Sequence, residues 1–142
     1  MDLGQDWNSV ALERTQQDVK RLLNLATETI VEVLKGRTAF KPFAVVLRRD
    51  GTVGRHGLLT DATGRAAIEA ILGFLQSMAS SLEAYLVVYN IDPIALPVAH
   101  LLGEHRQPIS FEVTTLWAVA PDGAVRRGGV MMKPGVRRLD FS

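Results

Sequence analysis

Residues 109–120 read Ile109-Ser110-Phe111-Glu112-Val113-Thr114-Thr115-Leu116-Trp117-Ala118-Val119-Ala120. Ile109, Phe111, Val113, Thr115, Trp117 and Val119 fall on one face at a period of two, and Ser110, Glu112, Thr114, Leu116, Ala118 and Ala120 fall on the other. That alternation is the signature of a β-strand with two different faces. Pro121-Asp122-Gly123 then turns the chain. Val125–Met132 returns as a neighbouring strand, with Gly128-Gly129 expected at a bulge. A strand that turns tightly into the next is antiparallel to it, so this stretch makes the sheet largely antiparallel.

Upstream, Ala84-Tyr85-Leu86-Val87-Val88-Tyr89-Asn90-Ile91 is apolar on both faces and reads as a central strand, ended by Asp92-Pro93. Residues 94–103 allow strand, short helix or loop. Phe43–Leu47 is an apolar run after Pro42, Asp50-Gly51 is a hairpin turn, and Thr52–Leu59 comes back as a weaker strand. Two stretches carry helical spacing instead. Val19, Leu22, Leu23, Ala26, Ile30, Val33 and Leu34 form a stripe on a long helix from about Ser9 to Lys35. Its expected caps are Asn8 or Ser9 at the start and Gly36 at the end. Ala67, Ile71, Phe74, Leu75, Met78 and Leu82 form the stripe of a second helix from about Gly64 to Ser80, with Asp61 or Thr63 as cap.

The expected fold is α+β: a largely antiparallel five-stranded sheet with helix packing, in the order α-β-β-α-β-β-β. The 142 residues form one domain, with 1–8 and 133–142 as flexible or partner-contacting ends. The order of elements resembles the roadblock/longin-like and profilin-like group of small dimerising folds. The segment Phe40–Leu47 with Asp50-Gly51, and the triplet Glu104-His105-Arg106 before a strand and hairpin, are similar to a family of small uncharacterised bacterial α+β proteins. That resemblance covers about residues 30–130 and implies no activity.

Composition excludes several functions. There is no cysteine, which removes disulfides, thiol catalysis and thiolate metal sites. The N-terminal residues lack the basic start and apolar core of a signal peptide, and no apolar run is long enough to cross a bilayer. A cytoplasmic protein without membrane contact is expected. Net charge is +1, which argues against a dedicated nucleic-acid protein, although residues 124–142 carry five bases against Asp140. Gly51, Gly54 and Gly57 have the wrong spacing for a phosphate loop.

The remaining chemistry gathers near residues 100–112. If 98–105 were helical, His100 and Glu104 would share a face and offer a metal one imidazole and one carboxylate. His105 with Glu104 or Glu112 is the candidate for acid–base catalysis. Arg106, His105 and Arg126 are candidates for holding an anion. Glu112, if buried, needs a cation such as Arg106 or Arg126. Trp7, Leu22 and Trp117 are candidate interface residues. With no complete catalytic constellation, the leading expectation is a non-enzymatic homodimeric accessory or regulatory protein, with no cofactor and with itself or another protein as partner. The alternative is a small-molecule or anion-binding module, and after it a small enzyme using His105 and Glu104.

Overall fold

The alternation of residues 109–119 is realised as a strand in the computed structural model, which describes residues 3–34, 41–57, 64–90, 98–106, 109–119, 125–136 and 138–141. The elements are α1 (Leu3–Leu34), β1 (Phe43–Arg48), β2 (Val53–Gly57), α2 (Gly64–Ser77), β3 (Leu82–Asn90), β4 (Val98–His105), β5 (Ile109–Val119) and β6 (Val125–Pro134). The strands form one antiparallel sheet in the order β2-β1-β3-β4-β5-β6. Among the described residues the protein is therefore α+β, with two α-helices against a six-stranded sheet.

The sixth strand corrects the five-stranded expectation. It is β4, in the stretch that sequence left open between strand, helix and loop. Both sides of β4 are largely buried: Ala99, Leu101, Gly103 and His105 on one face, Leu102 and Glu104 on the other, with His100 half-buried. A strand buried on both faces shows no period-two polarity, and so carries no strand signature. The bulge expected at Gly128-Gly129 is present. Thr115 pairs with Val130 and Trp117 with Arg127, so β6 fits one more residue than β5 between those pairs.

The helices lie on opposite faces. Leu22, Ala26, Ile30 and Leu34 of α1 pack on Val45, Leu47, Leu86, Val88, Leu101 and Val113. Ile71 and Leu75 of α2 pack on Ala44, Val46, Tyr85, Val87 and Leu102. The α1 stripe follows the expected i, i+4 spacing, as do Ala67, Ile71 and Leu75 of α2, whereas Phe74 is 42% exposed and Leu82 begins β3. One correction concerns the start of α1. It begins at Leu3 and not near Ser9, so Trp7, Asn8 and Ser9 lie within it. The proposed caps at Gly36, Asp61 and Thr63 lie outside the described residues. No helix among those described is long and apolar enough to cross a membrane.

Residues 138–141 pack against the sheet and α2. Leu139 and Phe141 are buried beside Tyr85 and Leu102. Their anchors are polar. Gln76 of α2 donates to the carbonyl of Asp140 at 2.9 Å and accepts from its amide at 3.0 Å.

Candidate functional site

The triplet Glu104-His105-Arg106 ends β4, and each residue goes a different way. Neighbouring strand residues point to opposite faces. Glu104 faces the α2 side, His105 faces α1, and Arg106 reaches past the sheet end.

Glu104 is fully buried, and donors converge on its carboxylate. The Tyr85 hydroxyl and the Leu139 amide (2.9 Å) donate to Oε2. The Arg138 amide (2.7 Å) and the Ser110 hydroxyl (3.4 Å) donate to Oε1. A buried carboxylate persists only when its lone pairs are satisfied in this way. Arg106 spreads its guanidinium over carbonyls: Nε to Leu82 (3.0 Å), Nη1 to Phe141 (2.7 Å), and Nη2 to Ala79 (2.9 Å) and Ser80 (3.2 Å). It also lies over the Phe141 ring at 5.4 Å. Glu104 and Arg106 thus fasten residues 138–141 to the sheet.

His105 builds the candidate site. Its side chain is 2% exposed, and its Nε2 lies 2.8 Å from Asp18 Oδ2 and 3.8 Å from Glu83 Oε1. These three donor atoms all lie within 4.8 Å of one another. Three elements supply them. Asp18 stands on the helical line Asp18, Leu22, Ala26, Ile30, Leu34, at the point where α1 meets the sheet. Glu83 owes its place to an irregularity of β3. Leu47 pairs with Ala84 but Arg48 pairs with Leu82, so Glu83 is the extra residue of a bulge. A bulge of this kind re-aims a side chain that strict alternation would have sent to the other face. Its carbonyl is held by the Arg106 amide at 2.6 Å.

The electrostatics favour a cation. Two carboxylates face one imidazole, and they are 17% and 29% exposed while the imidazole forms the floor. The cluster therefore opens to solvent on its carboxylate side. Donors around a single ion at about 2.1 Å lie roughly 3 to 3.5 Å apart, and the 2.8 and 3.8 Å separations of His105 from Asp18 and Glu83 fall on either side of that range. Sequence expected no cofactor. The Asp18, Glu83 and His105 donors overturn that expectation, because their geometry fits a metal ion.

No family model matches the chain, and no curated protein or solved structure matches it.

The other sequence candidates fall elsewhere. His100 and Glu104 lie on a strand and not on a helix, four residues apart, so their shared face spans about 13 Å and cannot close on one ion. His100 instead meets Thr114 at 3.1 Å. Glu112 is 15% exposed and is paired with Lys133 (3.2 Å) and Arg138 (3.3 Å), not with Arg106 or Arg126. Arg106 directs its donors to carbonyls, on the other side of the sheet end from the His105 carboxylates, so the structure does not gather the two as an anion site. Leu22 belongs to the α1 core. The side chains of Trp7, Trp117 and Arg126 lie outside the described residues. Sequence reasoning found His105 but missed Asp18 and Glu83. The available signals were a carboxylate on the apolar line of α1 and an acid at the entry to the most apolar strand.

Proposed function

We propose that this protein is a small ligand-binding domain that takes a divalent metal ion among Asp18, Glu83 and His105. The supporting observation is the convergence of one nitrogen and two carboxylate oxygens, from three separate elements, on a partly open cluster with a buried floor. One imidazole with two carboxylates suits Zn²⁺ or Mn²⁺ better than Mg²⁺ or Ca²⁺, which prefer all-oxygen shells. Three protein ligands leave a coordination position for water or a small ligand, the pattern of an open site and not of a closed structural one.

The residues have separable roles. Without metal, His105 Nε2 is hydrogen-bonded to Asp18 at 2.8 Å, and a bound ion would take the place of that bond. Asp18 and Glu83 supply the negative charge that repays dehydration of the ion. Calorimetric titration with ZnCl₂ and MnCl₂ near neutral pH tests the reading. One ion per chain is expected, with at least about a tenfold loss of affinity in Asp18→Asn and in Glu83→Gln. Binding that does not saturate, or that is equal in both variants and the parent, refutes it.

A further inference from the structure

The opposite face of the sheet carries a second polar constellation that the metal reading does not use. Tyr89, His100, Thr114 and Met131 stand in register across β3, β4, β5 and β6 and so share one side. Beside this row, Glu112 of β5 lies between Lys133 of β6 and Arg138 of the C-terminal segment. The core of α2 reaches β1, β3 and β4 but ends at Leu102. The face is open at β6, where Met131 is 71% exposed.

Three features suit this place to a ligand. The first is charge: two cations, Lys133 and Arg138, share the partly exposed carboxylate of Glu112. The second is unused hydrogen-bonding capacity. His100 engages Thr114 through Nδ1, while its Nε2 and the Tyr89 hydroxyl have no partner among the described residues. The two rings meet at 5.1 Å and 46°, forming a flat-sided wedge. Burial lowers the His100 pKa, so the ring is neutral near pH 7; burial, then Glu112, raises that of Tyr89, so its hydroxyl keeps its proton. The third is rigidity. The Arg138 amide is tied to buried Glu104, and its guanidinium also donates to the Val136 carbonyl at 2.9 Å. The cation is therefore held in place before any ligand arrives.

We infer that this face binds a small planar carboxylate, its acid group between Lys133 and Arg138 and its flat body against Tyr89 and His100. Arg138 presents a fork that matches a carboxylate, and Glu112 occupies the cations until the ligand competes for them. The site lies on the other side of the sheet from Asp18, Glu83 and His105, and it stands or falls independently of them.

Benzoate is the probe, and the three histidines give the readout by NMR. The expected result is a saturable shift of His100 with a dissociation constant of about a millimolar, while His105 stays unmoved. Bound anion should raise the His100 pKa. Lys133→Met, at a side chain 64% exposed and so harmless to folding, should weaken binding about fivefold or more. Glu112→Gln should tighten it several-fold by releasing both cations. A linear, unsaturated response to about 50 mM, a response at His105 instead of His100, or equal affinity in Lys133→Met and the parent overturns the inference.

Discussion

Replacing Glu104 by glutamine changes one oxygen for an amide and keeps the shape, which isolates the carboxylate's part in the structure. Each carboxylate oxygen accepts from one backbone amide: Oε1 from Arg138 at 2.7 Å and Oε2 from Leu139 at 2.9 Å. Glutamine has only one acceptor oxygen. Whichever way it is turned, its NH₂ faces a backbone N–H at close range, and one buried donor loses its partner. That loss costs about 1–3 kcal/mol. The surviving bonds also pass from charged to neutral acceptors, a weakening of about 1 kcal/mol each. Glutamine is easier to bury than a carboxylate, which returns part of the cost. The net expectation is a loss of about 2–4 kcal/mol, or a fall in Tm of roughly 8–15 °C for a chain of this size. Urea unfolding measures the first, and hydrogen exchange at the Leu139 amide reports whether the C-terminal segment has come away. A variant within about 0.5 kcal/mol of the parent, with that amide still protected, would show that Glu104 does not pin the segment.

Two further outcomes accompany the metal and benzoate titrations. Gly103→Ala should destabilise by about 1–3 kcal/mol in chemical denaturation, because the added Cβ would sit 2.6 Å from Leu86 Cδ2 and against the Phe111 ring, both in a filled core. Acidification should also destabilise the fold. Burial, with Arg48, lowers the pKa of His56, and burial is the leading cause of the lowering at His100 too, opposed by Glu112 and aided by Lys133 and Arg138. A lowered folded pKa means that the unfolded chain takes up protons first. The stability from these rings is full above the ordinary value of 6.5 and is lost as pH falls through their folded values. Glu112 acts in the same direction at lower pH: burial works to raise its pKa, but Lys133 and Arg138 hold it below the ordinary 4.5. Urea midpoints at about pH 7.5 and about pH 5.5 should differ in that sense, and less so in a His56→Gln, His100→Gln double variant. Greater stability in acid would contradict the argument.

What the sequence revealed depended on whether an element has two unlike faces. β5 separates Phe111 and Val113 from Ser110, Glu112 and Thr114, and its period is plain. α1 and α2 bury one stripe each, and the stripes are plain too. β4 buries both faces and mixes Leu101 and Leu102 with His100, Gly103 and Glu104, so neither period survives. The burial of Glu104 runs against the strongest expectation for an acidic residue, and donors from Tyr85, Ser110 and the distant residues Arg138 and Leu139 make it possible. The candidate metal cluster was hidden for a related reason. His105 is conspicuous as one of three histidines, but Asp18 and Glu83 reach it through the docking of α1 and the bulge of β3. No local pattern encodes that meeting.

The sheet is open, so it ends in two rims, β2 and β6. A rim offers unpaired backbone groups to any extended chain that drifts against it, and this is how folded proteins seed aggregates. The two rims here discourage such contact by different means. β2 has only five residues, two of them glycine, with Arg55 in the middle. β6 is twice as long, but it is broken by the Gly128-Gly129 bulge, closed by Pro134, and marked by Arg126, Arg127 and Lys133. Two copies meeting β6 to β6 would bring like charges together and would find their hydrogen-bonding rows out of step at the bulge. The basic character of this part of the chain, which at first suggests an acidic partner, thus also acts as a guard on the longer rim of the sheet.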